Sequence, residues 1–215
     1  MEKKQENLNN YFNTVSTNLF NQKITFYEDY EDWEIKRLQD IGKIITGNTP
    51  STKHDEYYGD KYTWITPSDI TYSRFVKKSE RMLTDEGLKK SKHVPKGSVL
   101  VTCIASIGKN CLTTEISAFN QQINGIIPSN KYDSCFIYYL MEQFSEKLKH
   151  QACVTSTAIL NKKSFSNMKF KFPKLEEQLK ISKCLSNIDD MREANLNMIN
   201  NAKKYKKSLN QKMFV

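Results

Sequence analysis

From Leu175 to Met213 the chain carries neither proline nor glycine, and most of its residues are good helix formers. The segment therefore predicts one helix of roughly 55 to 60 Å at ~1.5 Å per residue. Its seam positions step by three and four through Ile181, Cys184, Ile188, Met191, Asn195, Met198, Ala202, Tyr205 and Leu209, an a/d heptad pattern with a polar Asn195 at an a position. Leu185, Ile199 and Met213 at e widen the stripe, which implies contact with more than one neighbour. A helix this long would overhang a single domain, so packing against a partner helix is favoured over a helix lying only on its own globule. In such a pair Asn195 would fix the register, because a slipped partner would leave its amide unpaired; an exposed Asn at a helix end or bend is the equal alternative.

The preceding residues have a different texture. Leu8, Phe12, Val15 and Leu19, with Tyr11 beside them, predict a short amphipathic helix over 6–20, and the acidic YEDYEDWE (27–34) reads as a solvated link. From Trp33 to Pro173, short β-rich runs (Ile41 to Ile45, Thr63 to Ile65, Ser98 to Ile107, Gln122 to Ile127) alternate with turn residues. One helix is expected over 134–148, where Phe136, Tyr139, Leu140, Phe144 and Leu148 share a face. The expected class is α+β in three parts: an amino-terminal helix and linker (1–32), a globular domain (33–173) and the long helix (174–215). LFNQKITF (19–26) is echoed by LNQKMFV (209–215), each closing a predicted helix, so the chain reads as one unit of a helix, globule, helix array.

Lys and Arg number 33 against 24 Asp and Glu, a formal charge of +9 that favours a polyanionic partner. Residues 1–33 carry net −3 and residues 174–215 net +4, leaving +8 in the middle. The 5 cysteines form no C-x-x-C, and the start MEKKQENLNN lacks an apolar leader core, so a reducing cytoplasm is the expected compartment. Val99 to Ile107, the longest apolar stretch, is far below the ~20 residues a membrane span needs. The 7 glycines never form G-x-G, which excludes a dinucleotide fingerprint and a P-loop. His54, His93 and His150 are widely separated, without metal-ligand spacing, and no two prolines adjoin as an N-P-P-Y methyltransferase pocket would require. No catalytic constellation is visible, so the chain is not expected to be an enzyme.

WEIKRLQDIGKIITGNTPS (33–51), WITPSDI (64–70), GSVLVTCIASIGK (97–109), FNQQINGIIP (119–128) and STAILNKKSFSNMKFKFPKLEEQLKISKCLSNID (156–189) resemble, in this order, a target recognition domain of a type I restriction-modification specificity subunit followed by its spacer helix. The resemblance implies a non-catalytic protein of host defence that reads one half of a split sequence in double-stranded DNA, with antiparallel helices serving as a ruler. It also implies docking to methyltransferase (M) subunits and, through them, to restriction (R) subunits. S-adenosylmethionine is expected only in the methyltransferase, and no cofactor or metal in this chain. A full subunit has two recognition domains; this chain has one, and so resembles a half-subunit or a carboxy-terminal half. Two copies pairing as a homodimer through Leu175 to Met213 would restore two-fold recognition. A second reading is an interaction module that pairs with a full specificity subunit or a methyltransferase and modulates or blocks the assembly.

On that reading lysines and arginines meet phosphates, and loop side chains reach base edges. The first candidate loop, GNTPSTKHDEYYGDKYTW, offers Thr49, Ser51, Lys53, Tyr57 and Tyr58, or is merely a solvated turn. The second, PSDITYSRFVKK, offers Ser68, Asp69, Tyr72 and Arg74; Asp69 could accept from cytosine N4, orient Arg74, or cap a helix. Ser106 and Lys109 flank a turn at Gly108, with Lys109 a phosphate contact or an ordinary surface lysine. Asn120, Gln121 and Gln122 suit adenine N6/N7, or link strands as buried polar groups. The resemblance places Thr155 and Ser156 near the DNA face or a domain closure, whereas Arg81, Lys89, Lys90 and Lys92 read as an exposed face with no sequence role.

Overall fold

In a computed structural model the chain is described over residues 2–26, 32–153 and 159–213, without the side chains of 153, 210, 212 and 213. Helix α1 (Glu2–Phe20) leads to β1 (Glu34–Arg37), the single turn α2 (Leu38–Ile41) and β2 (Gly42–Thr46). Next come β3 (Tyr58–Gly59), β4 (Tyr62–Ile65), β5 (Phe75–Val76), β6 (Met82–Leu83), α3 (Asp85–Lys90) and β7 (His93–Val94). They are followed by β8 (Val99–Thr102), β9 (Asn110–Thr113), β10 (Ser117–Phe119) and β11 (Ile123–Pro128). The chain then forms α4 (Ser134–Gln143), α5 (Ser145–Cys153), α6 (Lys162–Asn167), β12 (Lys169–Phe172) and α7 (Leu175–Met213). Two five-stranded sheets, ordered β3-β6-β4-β10-β7 and β2-β11-β8-β9-β5, stand beside a two-stranded β1-β12 ribbon. The class is α+β, as the sequence predicts.

Strand β8 explains how the layers join. Its side chains alternate: Val99 and Val101 enter a core with Phe136, Tyr139 and Leu140 of α4, while Leu100 enters a second core that includes Ile65, Cys111, Phe119 and Ile123. A strand buried on both faces is continuously apolar, which is why this run stands out in the sequence. Its expected extension to Ile107 stops at Thr102, where Ala105 (φ 60°) and Gly108 (φ 90°) turn the chain and the Gly108 N–H donates to the Thr102 carbonyl at 3.0 Å. The helix expected over 134–148 is two helices. Phe144 leaves helical geometry (φ −103°, ψ 24°), and its ring packs on Phe20 and Phe170. Asp133 caps the first of them by accepting from the Phe136 N–H.

Helix α7 spans 39 residues, and among the described residues no helix is long and apolar enough to cross a membrane. Its seam is divided rather than uniformly open. Ile181 and Ile188 are buried in the core with α4, and Cys184 is half-buried beside it. Asn195 is buried and donates from Nδ2 to Gln5 Oε1 at 2.8 Å, so its helix partner is the chain's own α1. The antiparallel α1 is held by three more contacts: Arg192 Nε donates to Asn9 Oδ1 at 3.0 Å, Arg192 stacks on Phe12, and Lys203 pairs with Glu2 at 2.8 Å. This pairing also starts α1 at Glu2, earlier than its apolar pattern suggests. Met191 (56% exposed), Met198 (52%), Tyr205 (68%) and Leu209 (42%), with Ala202, remain outside. The expectation that the whole seam awaits an outside helix is therefore corrected: the a positions as far as Asn195 are filled from within the chain, and the d positions from Met191 onward are not.

Candidate nucleic-acid interface

Glycine at position 47 sets the geometry of the first candidate loop. The chain leaving β2 passes so close to β10 that a Cβ at residue 47 would lie 2.2 Å from the Phe119 carbonyl oxygen, a contact only glycine permits. The Gly47 N–H donates to the Ile123 carbonyl at 3.2 Å and the Asn48 N–H to the Phe119 carbonyl at 3.0 Å, which locks this loop to the turn between β10 and β11. Beneath them the buried Asn124 amide joins three segments: it accepts from Thr46 Oγ1 at 2.6 Å and donates to Cys103 Sγ at 3.1 Å and to the Leu160 carbonyl at 3.5 Å. The Cys103 N–H donates to the Gln122 carbonyl at 2.7 Å, and the Asn120 N–H to the Ile65 carbonyl at 3.0 Å. Four segments distant in sequence, near residues 47–49, 66–69, 103–109 and 120–122, thus meet at one end of the sheets. Burial pushes the Cys103 thiol up to about 12, so it serves as a packed acceptor and not as a nucleophile.

Several expected residues come together here. Thr49 Oγ1 donates to Gln121 Oε1 at 2.7 Å, and both residues are exposed. The pair presents a hydroxyl acceptor beside an amide donor, a combination suited to a base edge. Gln122 serves the turn instead: its Oε1 accepts from Asn120 Nδ2 at 2.9 Å, and its N–H donates to Asn120 Oδ1 at 3.1 Å. Lys53, Ser51 and Lys109 are exposed, Tyr57 is half-buried and stacks on His54 with ring centroids 4.8 Å apart, and Tyr58 donates to the Pro50 carbonyl at 2.9 Å. The Ser106 carbonyl accepts from Thr102 Oγ1 at 2.5 Å, building the turn that displays Lys109.

The second loop divides. Ser68 is exposed in the turn, its Oγ 2.8 Å from Thr66 Oγ1. Asp69 neither caps a helix nor meets Arg74; Oδ2 accepts from the Thr66 N–H at 2.8 Å and from its hydroxyl at 2.7 Å, and Oδ1 accepts from the Glu80 N–H at 2.8 Å. Arg74 departs most from expectation. It is only 8% exposed and turned toward α7, where Nη2 donates to Asp190 Oδ1 at 2.5 Å and Nη1 to the Tyr139 hydroxyl at 2.8 Å. Burial works against its charge, but Tyr139, Asp190 and Asp189 outweigh it and hold the guanidinium above its ordinary range. A buried and fully charged arginine with these partners is not presented to a phosphate. Tyr72 is exposed beside the same helix, its hydroxyl donating to Asn197 Oδ1 at 3.4 Å. Thr155 and Ser156 lie outside the described residues.

Two lysines set aside in the sequence reading border the site. Asn48 Nδ2 donates to the Lys90 carbonyl at 3.0 Å, and the Lys92 N–H donates back to Asn48 Oδ1 at 2.5 Å, which brings the exposed Lys90 and Lys92 next to Thr49. No local signal points to this, because the partners of Asn48 lie 42 and 44 positions away. A cleft of 860 Å³ lined by Lys36, Tyr132, Phe172, Leu175 and Gln178 lies beyond the other end of β11, away from these loops.

The type I restriction modification DNA specificity domain model matches residues 30–204. The chain belongs to this family. The type I restriction enzyme MjaIX specificity subunit of Methanocaldococcus jannaschii is 36% identical over 172 residues, covering 75% of this chain and 39% of that protein. The crystal structure of the HsdS subunit from Thermoanaerobacter tengcongensis superposes with a TM-score of 0.66 at 18% identity, covering 90% of this chain and 46% of that one. A chain from a study of complex assembly and conformational transition of the type I R-M system gives a TM-score of 0.70 at 16% identity, covering 97% and 50%. This chain thus spans about half or less of each of these relatives. In family terms the matched stretch takes in the globule and most of α7, and the four converging segments lie within it.

Proposed function

We propose that this chain is a sequence-recognition part of a type I restriction-modification specificity subunit: residues 33–173 read a half-site in double-stranded DNA and α7 serves as spacer and pairing helix. The observation that carries the reading is the Thr49–Gln121 pair, exposed among turns that also display Lys53, Lys90, Lys92 and Lys109. Lysines around a polar pair match the division of labour in which phosphates position and base edges specify. The middle of the chain holds most of the net charge, in keeping with this. Catalysis belongs to partner methyltransferase subunits, which carry S-adenosylmethionine, and restriction subunits join through them in the cytoplasm. Adenine methylation of a defined motif when the chain is mixed with its methyltransferase, and none by the chain alone, is the expected result. Modification without sequence preference would overturn the reading.

Binding should weaken steeply with salt, and Lys53→Ala and Lys109→Ala should each reduce the slope of log K against log salt by about 1. Gln121→Ala should instead relax base preference, at roughly 1 to 3 kcal/mol for the lost contact. Competition binding against a panel of substituted sites separates the two behaviours.

The uncovered d positions of α7 favour pairing with a second α-helical surface, either a second copy of this chain or another specificity half. A modulatory half-subunit that occupies a methyltransferase without completing a target would use the same face. Mixing with the methyltransferase and measuring modification distinguishes the two, because the modulatory form lowers the activity of an added full subunit.

A further inference from the structure

Residues 72–74 run along α7 in a way the recognition function alone does not require. Arg74 contacts the Ser186 carbonyl at 3.4 Å and Asp190 at 2.5 Å, Ser73 Oγ donates to Glu193 Oε1 at 3.2 Å, and the Tyr72 hydroxyl donates to Asn197 at 3.4 Å. The helix partners 186, 190, 193 and 197 step by four, three and four, so they form one stripe, met by three consecutive residues running in the opposite direction. Between them the side chains of Tyr72, Ser73 and Arg74 reach helix positions from Ser186 to Asn197, about three turns. Arg74 is also built into the sheet. Its carbonyl accepts from the Leu112 N–H at 2.7 Å, next to the parallel pairing of Phe75 with Leu112. Asp189 extends the network: it lies 3.6 Å from Arg74 and 3.0 Å from Arg192, and Arg192 contacts Asn9 and Phe12 of α1. One connected set of charges therefore ties the sheet, α7 and α1, and the loop it belongs to begins at the Thr66–Asp69 turn beside the candidate interface.

We propose that residues 72–74 are a strap that fixes the angle of the recognition domain on α7, and that Arg74 is thereby a positioning residue for the distance between half-sites. This rests on the DNA-recognition reading given above. The apolar contact between α4 and α7 favours burial but is tolerant of sliding and rocking, whereas directional hydrogen bonds to a planar guanidinium select one arrangement. The tolerance is tight. Beyond Asp190 the helix runs on to Met213 for about 35 Å, so a tilt of about 6° moves its tip by ~3.4 Å, one base-pair step.

The test uses the full chain in complex with its methyltransferase on targets whose half-sites are separated by every spacing from three base pairs below to three above the optimum. Arg74→Met and the milder Asp190→Asn, whose side chain is 61% exposed and whose loss should leave the fold intact, are expected to broaden the profile. Modification one base pair off the optimum should rise about tenfold relative to the optimum, with base preference inside each half-site unchanged. Gln121→Ala should do the converse. In parallel, fluorophores on unnatural amino acids replacing the exposed Lys96 and Lys207 report the distance between domain and helix in the protein without DNA, and both strap variants should widen its distribution. An unchanged spacing profile in Asp190→Asn and Arg74→Met, or an unchanged distance distribution, overturns the proposal. Failure of the wild-type complex to modify any defined motif overturns the recognition reading itself, and the spacing role with it, and is recognised because the unmutated chain fails too.

Discussion

The two halves of α7 share one heptad pattern and have opposite surroundings. In the first half Ile181, Leu185 and Ile188 are buried in the core with α4. In the second, Asn195 and Ile199 are buried while Met198, Tyr205 and Leu209 are exposed, and α1 starts beside Lys203. The last ten residues, about 15 Å of helix, extend past the start of α1. An apolar stripe records which side of a helix avoids water but not who covers it. The first half is a structural strut of the globule, and the second has one side closed by α1 and another that the described residues leave exposed.

The largest effect should appear where the first half meets the core. Leu185 is 0% exposed, and Leu185→Ala should cost about 2 to 5 kcal/mol, read as a lower urea midpoint. A loss below about 1 kcal/mol would mean that the first half is not part of the core.

Next is a polar fault in the same region. Glu142 Oε2 is buried without a hydrogen-bond partner among the described residues, and burial pushes its carboxyl above the ordinary range, with Asp189 adding to the effect and Arg192 opposing it. A carboxyl whose native value is raised keeps its proton longer in the folded state than in the unfolded chain. Stability is therefore fullest at or below the ordinary glutamate range and is lost as pH rises through the raised native value. Glu142→Gln removes that loss. The variant should be more stable than wild type at pH 8 by on the order of 1 kcal/mol, with little advantage near pH 4. Equal gains at both pH values would show that packing, not ionisation, is responsible.

Asn195 tests the boundary between the halves. Asn195→Leu removes the hydrogen bond to Gln5, and a cost of about 1 kcal/mol is expected, with faster amide exchange over the first two turns of α1. Unchanged protection there would show that Lys203 and Arg192 suffice to seat α1.

What the sequence conveyed and what it did not divide along the same line. Local rules were legible: the absence of glycine and proline in α7 and the apolar run of β8 are properties of neighbouring residues. The partners were not legible. Arg74 in a loop looks like a phosphate contact until Asp190, 116 residues later, is placed against it. Asn48 looks like a turn residue until Lys90 and Lys92 close around it, 42 and 44 positions away. The Thr49–Gln121 pair was legible as two candidates but not as one, since 72 residues separate them. Charge and hydrogen-bonding capacity can be read from composition, but whether they are satisfied internally depends on contacts that only the fold creates.

The smallest effect on stability should come from the second half, and it is the most informative. Met198 is 52% exposed on a helix face that the described residues of its own chain do not cover, so Met198→Lys should change the unfolding free energy by less than about 0.5 kcal/mol. A lysine on an apolar seam shared with another helix would, by contrast, be desolvated without a counter-charge, and association should fall sharply. Sedimentation of the wild type and variant at matched concentration reads this directly. Loss of the heavier species with an unchanged denaturation midpoint assigns the face to pairing, and an unchanged sedimentation profile for a wild type that does associate places the contact elsewhere. Tyr205→Lys, one heptad further out and past the start of α1, should act in the same direction. If it weakens association as much as Met198→Lys, the pairing surface continues along α7 past Lys203, the partner of Glu2 at the start of α1.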